Sequence, residues 1–330
     1  MLKGVFIMNQ DAFTKIYGEP EFNRINNLVD IIAPPMTAHG IAENLSILNQ
    51  VDVIFSGWGM VKLDEKLLQA APRLQVVFYG SGSIKGFVTE KSWDRGIIIS
   101  SAYAANAVPV AEYTLSQILF SLKHGWYYVN AIKQTGKYPE KTPVPGAYNS
   151  TVGIISLGMI GRMVVEHLKR FDLNIIAYDP YVTPENGAKL GVTMHSLESI
   201  FKKADVVSLH TPWLPETAGM ITGAHFASMK NGSTFINTAR GAVVKELEMI
   251  DVLHQRPDIF AILDVTYPEP PTPGSLLYSL PNVILTPHIA GSMFTECRRM
   301  GSYMVDELER FLARQPLQWS ISREKAKVMA

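Results

Sequence analysis

Three small residues at fixed spacing, Ser156-x-Gly158-x-x-Gly161, constrain what this 330-residue chain can fold into more than any other feature. An apolar, β-branched run from Val152 to Ile155 precedes them and reads as a buried strand. Arg162 to Phe171 follows with apolar residues at 163, 164, 165, 168 and 171, a helical face. A second strand, Asn174-Ile175-Ile176-Ala177-Tyr178, ends on Asp179. Strand, tight turn, helix, strand and acid together form the unit that binds dinucleotides. Gly158 lets backbone approach a pyrophosphate, and the free N–H groups of the helix start face that anion. Gly161 permits close packing of helix on strand. Asp179 stands 18 residues beyond Gly161, where a carboxylate accepts hydrogen bonds from ribose hydroxyls. Serine occupies the first fingerprint position, and a left-handed backbone there would disfavour it. A bare glycine triad is also compatible with an unliganded α/β turn; the acid at the right distance argues against that reading.

The chain length predicts two domains, each able to bury its own core. Lys+Arg and Asp+Glu both number 30, so no net positive field points to nucleic acid or an anionic membrane surface. Cys297 is the only cysteine, which excludes an internal disulfide and a cysteine-based zinc site. No His/Asp/Glu spacing resembles a metal site, and none is expected. The N-terminal apolar run is too short for a signal peptide, and no stretch approaches a membrane span. A soluble, cytoplasmic protein is the expectation.

The first hundred residues alternate strand and helix. Strands are expected at 4–8, 29–33, 51–55, 74–79 and 97–100. Helices are expected over 39–48, after Asp64, and after Thr89. Pro109 predicts the first turn of a long helix running through Leu122 and Trp126. A loop from Gly136 to Ser150 leads into the dinucleotide unit. After Asp179 the alternation resumes, with strand ends at Thr211, Arg240, Asp264 and His288. Open α/β sheets bind ligands at the C-terminal ends of their strands, so these polar residues gather on one edge. The apolar spacing of Met300, Tyr303, Met304, Leu308 and Phe311 predicts a final helix over 294–312. The tail from Ser320 is polar.

Three side chains make a chemically coherent set. Arg240 ends a strand, and a guanidinium fork binds carboxylates bidentately. His288, in Thr286-Pro287-His288-Ile289-Ala290-Gly291, carries an imidazole, the side chain best suited to proton transfer to a carbonyl oxygen. Glu269, between Pro268 and Pro270, is a carboxylate able to orient that imidazole. Taken singly, a solvated arginine, an exposed loop glutamate and a structural histidine are the plainer readings; His210 reads as a core residue.

At these residues the sequence resembles the D-isomer-specific 2-hydroxyacid dehydrogenase family. The resemblance runs from about Leu74 to Met329. It is carried by Tyr79-Gly80-Ser81-Gly82-Ser83, Asn106 to Glu112, the Ser156–Gly161 turn with Asp179, and His210-Thr211-Pro212. Asn231 to Gly241, Asp264-Val265 with Pro268-Glu269-Pro270, and Thr286 to Gly291 complete it. It implies two Rossmann-like or flavodoxin-like α/β lobes: a discontinuous substrate domain, 1–105 with 295–330, and an inserted NAD-binding domain, 106–294. It implies NAD in the cleft, held by Ser156, Gly158, Met159, Ile160, Gly161, Asp179, Thr211, Pro212, Thr238, Ala239, Asp264 and Gly291. Arg240, Glu269 and His288 become the catalytic set, with Gly80, Ser81, Gly82 and Arg240 on the substrate. A homodimer through the NAD domain is also implied. Three departures from the family pattern stand out: Ser156, Ile84 after the glycine loop, and Lys245 with Leu247 after Val244.

The expectation is reversible hydride transfer between NAD and a small D-2-hydroxy or 2-oxo acid. A corepressor-like, NAD-sensing interaction protein on the same fold is the alternative. Oxidation of another small anion, such as formate or phosphite, is a third reading, and Glu269 stands where formate dehydrogenases have glutamine.

Overall fold

The computed structural model describes residues 1–329, so Ala330, the end of the expected second substrate-domain segment, lies outside the described residues. Chain contacts divide the protein into two compact units. One is Met1–Asn106 with the segment from Ser292 onward; the other is Ala107–Gly291.

The described residues of the first unit form six strands: β1 (Lys3–Ile7), β2 (Asp30–Ile31), β3 (Val53–Ser56), β4 (Val76–Tyr79), β5 (Ile98–Ser101) and β13 (Ser320–Ile321). Their order is β13-β5-β4-β3-β1-β2, parallel except for β13, which pairs antiparallel to β5. Strands β1 to β5 thus follow the flavodoxin-like order. Both faces are covered, as an almost wholly parallel sheet requires. Val5, Ile7, Ile54, Val77 and Ile99 point to one core and Phe6, Val53, Phe55, Val76 and Phe78 to the other. The last long helix, Cys297–Leu312, packs Met300, Met304, Val305 and Leu308 into that second core, and a short helix, Arg323–Lys327, follows it. From the middle of the long helix, buried Glu307 accepts hydrogen bonds from Ser100 Oγ, Gln318 N and Trp319 N at 2.8–3.0 Å. One buried carboxylate with three donors therefore docks the polar tail onto the edge of the sheet.

The second unit holds seven strands: β6 (Tyr148–Ile155), β7 (Asp172–Tyr178), β8 (Thr193–Met194), β9 (Val206–Leu209), β10 (Thr234–Asn237), β11 (Phe260–Leu263) and β12 (Val283–Leu285). All are parallel, in the order β12-β11-β10-β9-β6-β7-β8. The order reverses between β6 and β9, and that switch point is where such sheets open a ligand crevice. Alternation along the strands again fills two cores: Ile155, Val207, Leu209, Phe235 and Leu263 face one side, Val152, Ile154, Val206, Ile236 and Ile262 the other.

Three features differ from the sequence reading. Pro109 lies well inside a helix that starts at Tyr103 and ends at Ser121, not in its first turn. Burial of Ala105, Ala107, Val110 and Ala111 outweighs the hydrogen bond that proline removes. Two helices, Gln10–Ile16 and Glu19–Leu28, occupy the connection between β1 and β2. The helix expected over 39–48 breaks at Asn44 into Ala38–Glu43 and a tight turn over Leu45–Gln50. Among the described residues no helix is long and apolar enough to cross a membrane.

Candidate active site

The turn after β6 has the geometry a pyrophosphate needs. Ser156 adopts φ +77°, so the first fingerprint position is left-handed and a serine meets that requirement. Ser156 N donates to Tyr178 O at 2.8 Å, tying the turn to β7. Gly158 precedes the helix Met159–Leu168, whose N-terminus carries no side-chain cap. A Cβ placed on Gly158 meets nothing within 4 Å, so space lies open above the free N–H groups. At Gly161 a Cβ would lie 2.1 Å from Ser156 O, so only glycine lets the helix pack so tightly on the turn. Asp179 accepts from Leu157 N and Tyr181 N, both at 2.8 Å, which fixes its carboxylate at the end of β7. Thr211, at the end of β9, is buried and its Oγ1 has no partner within the described residues. A free helix start, an open cradle and an unpartnered buried hydroxyl fit a dinucleotide. Met159 is exposed and Ile160 half-buried at the same helix start; Thr211, Thr238, Ala239 and Asp264 are buried and Pro212 and Gly291 partly so.

Arg240, Glu269 and His288 come from loops after β10, β11 and β12, three adjacent strands. Asn237 builds the first loop: its Oδ1 accepts from Ala239 N at 3.0 Å and its Nδ2 donates to Arg240 O at 3.1 Å. Gly241 then lies hard against the second loop, since a Cβ there would be 2.1 Å from Thr266 C. That close approach brings the arginine loop up to the one carrying Glu269. Arg240 is partly buried, and burial pulls its pKa down while the Glu269 charge opposes the shift. The guanidinium still stays charged. Glu269 Oε1 stands 2.7 Å from His288 Nδ1, with both side chains close to half exposed.

The third loop is strained and clamped. His288 has φ +54°, unusual for a residue with a Cβ. Buried Asp264 holds the surrounding turn: it accepts from Thr286 Oγ1 at 2.6 Å, Ile289 N at 2.8 Å and Ala290 N at 2.9 Å. Its own carbonyl accepts from His288 N at 3.0 Å. This clamp, the Gly241 approach and the Glu246 carboxylate accepting from Tyr267 N were not singled out from sequence. Asn237, two residues before Ala239, carried the recognisable signature of a side-chain-closed turn.

The loop Gly80-Ser81-Gly82 lies in the first unit. Gly80 N donates to Ser56 O and Ser81 N to Tyr79 O, so both donors are used within the fold. Ser101 Oγ bonds the carbonyls of Ser81 and Gly82, at 2.7 Å each. Gly82 and Ser83 are the loop residues with no backbone N–H bond among the described residues. Ile84 is buried in the core, where an acid would be desolvated. Lys245 pairs with Glu248 at 3.1 Å, and Leu247 is exposed. His210 is buried beside Ser208 Oγ at 3.0 Å, and burial pulls its pKa down to about 3, so the ring is neutral. A cavity of about 180 Å³, lined by His124, Trp126, Thr234 and Phe260, sits at the opposite, N-terminal ends of β10 and β11.

Known proteins share the family and the fold of this chain. A family model described as the NAD binding domain of D-isomer specific 2-hydroxyacid dehydrogenase matches residues 115–290. The D-3-phosphoglycerate dehydrogenase of Archaeoglobus fulgidus is 29% identical over 248 residues, covering 75% of this chain and 47% of that protein. That of Mycobacterium tuberculosis is 30% identical over 251 residues, with 76% and 47% covered. This chain therefore spans about half the length of the curated relatives it matches. Among solved structures, the TT0316 protein of Thermus thermophilus superposes with TM-score 0.73 at 26% identity, covering 97% of this chain and 100% of its own. A D-isomer specific 2-hydroxyacid dehydrogenase from Lactobacillus delbrueckii ssp. bulgaricus, solved with NAD, shares the fold at TM-score 0.80 and 21% identity, over 97% and 100% of the two chains.

Proposed function

This chain belongs to the D-isomer specific 2-hydroxyacid dehydrogenase family, with its NAD-binding domain matched over residues 115–290, and on that premise we propose that it interconverts a small D-2-hydroxy acid and its 2-oxo acid. The observation that carries the reading is the contact of His288 Nδ1 with Glu269 Oε1 at 2.7 Å, beside a partly buried arginine that feels the same carboxylate.

The nicotinamide cofactor, when bound, would supply a hydride as NADH for reduction and take one up as NAD⁺ in oxidation. The Met159–Leu168 helix start, Gly158, Ile160 and Gly161 hold its pyrophosphate, and Asp179 the ribose hydroxyls. Thr211, Pro212, Thr238, Ala239, Asp264 and Gly291 would hold the rest of the cofactor. Arg240 binds the substrate carboxylate and stabilises negative charge developing on the carbonyl oxygen. His288 gives that oxygen a proton from Nε2 in reduction and removes it in oxidation. Glu269 holds the ring by Nδ1 and so fixes its orientation. In the glycine loop, the remaining donors at Gly82 and Ser83 suit a carboxylate, with Gly80 and Ser81 shaping the turn that presents them.

Asp179 sets the cofactor choice, since a fixed carboxylate at the ribose repels a 2′-phosphate, and Pro180-Tyr181 supplies no adjacent cation. The assembly in this reading is a homodimer through the second unit, supported by the exposed aromatics Tyr127 and Tyr138 around the helix Gly125–Thr135. Light scattering of the purified chain tests that part. The activity is tested with a panel of 2-oxo acids (glyoxylate, hydroxypyruvate, pyruvate and bulkier analogues) assayed with NADH and with NADPH. Turnover of at least one with clear preference for NADH is the expected result; no turnover of any would overturn the reading.

A further inference from the structure

The helix Tyr103–Ser121 touches the chemistry at two consecutive residues. Thr114 Oγ1 lies 3.1 Å from Thr238 Oγ1, in the loop that leads to Arg240. Tyr113 Oη lies 3.0 Å from Thr286 Oγ1, in the loop that carries His288. Those loops leave β10 and β12, which flank β11. Two strand spacings separate them by about 10 Å. Neighbouring helical residues point about 100° apart, so one helix turn can serve both strand ends if one side chain is short and the other long. Threonine reaches the nearer loop and tyrosine the farther one.

The direction of the Tyr113 contact follows from hydrogen-bond bookkeeping. Thr286 Oγ1 is 2.6 Å from Asp264 Oδ1, and a carboxylate only accepts, so the threonine proton goes to Asp264. Thr286 Oγ1 can then only accept from Tyr113, whose hydroxyl is the donor. The chain of bonds runs Tyr113 to Thr286 to Asp264, and Asp264 in turn takes the amides of Ile289 and Ala290 that follow His288. His288 sits at φ +54°, a backbone state that persists only where its surroundings impose it.

We propose that Tyr113 is a positioning residue for this site: through Thr286 and Asp264 its hydroxyl fixes the turn that aims the His288 imidazole. Thr114 does the same for the arginine loop, so a single helix turn sets the spacing of the two groups. The inference rests on the reading of Arg240 and His288 as the groups that handle substrate, and it adds residues that act through the loops carrying them.

The test is Tyr113→Phe, which keeps the ring and removes only the hydroxyl. With the best 2-oxo acid and NADH, kcat should fall about five- to fifty-fold, since small misplacement of a proton donor is costly. KM for the acid and affinity for NADH should stay within about twofold. Thr114→Val should show the opposite split, raising KM for the acid more than it lowers kcat. Thr286→Val should lower kcat as Tyr113→Phe does, and the double variant should be little worse than either single one, because they break the same chain. A second measurement needs no activity: amide hydrogen exchange at Ile289 and Ala290 should speed up in Tyr113→Phe, with the melting temperature of the protein nearly unchanged. If no 2-oxo acid is turned over by the unaltered protein, the functional reading fails, and the exchange result still decides whether Tyr113 holds the turn. Unchanged exchange at those two amides, or kcat retained within twofold in an active enzyme, would overturn the proposal.

Discussion

His288 Nδ1 lies 2.7 Å from Glu269 Oε1, so the carboxylate takes one ring nitrogen, and Nε2 is the atom to which the proposed proton transfer is assigned. The neighbouring loops hold that arrangement in place. Gly241 lets the arginine loop close on Thr266, and Asp264 holds the turn that carries the histidine.

Two glycines of the nucleotide turn should respond differently to alanine. Gly158 has φ −70° and open space around a built Cβ, so Gly158→Ala should leave the melting temperature near its original value and weaken NADH binding by crowding the phosphate site. Gly161→Ala puts a methyl 2.1 Å from Ser156 O, so it should lower both stability and NADH affinity. Thermal melts and NADH fluorescence titrations separate the two. Equal melting losses would contradict this account of the turn.

Ser156→Gly should stabilise the protein. A side chain at φ +77° stores roughly 1 kcal/mol or more, and glycine relieves it while increasing the freedom of the unfolded chain. The net gain expected is a fraction of that, up to about 1 kcal/mol, or roughly 2–4 °C in the unit concerned. A lower melting temperature would show that the serine hydroxyl matters more than the backbone strain.

Acid should destabilise the fold partly through His210. Burial holds its pKa near 3 in the folded chain against an ordinary value of 6.5. Between those values the unfolded chain takes up a proton that the folded chain does not. Stability is therefore highest above pH 6.5 and falls as pH drops through that window. His210→Gln removes the titrating group, so its stability, measured by denaturant titration from neutral pH downward, should fall less steeply. An unchanged slope would place the acid sensitivity elsewhere.

Arg240→Lys should not behave conservatively. Lysine keeps a charge and loses the planar fork, so KM for the 2-oxo acid should rise and kcat fall together. A loss of one to two powers of ten in kcat/KM, about 1.4–2.7 kcal/mol, is expected. Steady-state kinetics with unchanged NADH affinity would locate the effect at the substrate.

Much of this site was legible because its parts follow local rules. The run from Val152 to Asp179 has the period change, the small residues and the acid that the turn demands. The strand ends fell where apolar runs stop at polar residues. The sequence resemblance, not spacing, joined Arg240, Glu269 and His288 into one set. Local rules were weaker elsewhere. Pro109 reads as a helix start by propensity, and only tertiary burial of its neighbours keeps it in the interior. The helix Glu19–Leu28 had its signals, with Glu19, Pro20 and Glu21 in the first turn and Phe22, Ile25 and Leu28 along one face. The tail strand β13 could not be read, because the feature that docks it is Glu307, a charge on the buried face of the preceding helix, where sequence patterning expects apolar residues. The clamp on His288 was hidden for the same reason, since Asp264 looks from sequence like one more strand-end acid.

The central claim is that His288 is the proton donor, and His288→Ala tests it most directly. With the best 2-oxo acid of the panel, kcat should fall by about 10²–10⁴-fold, the contribution of a positioned general acid, while NADH affinity changes little. Turnover close to that of the unaltered protein would contradict the account.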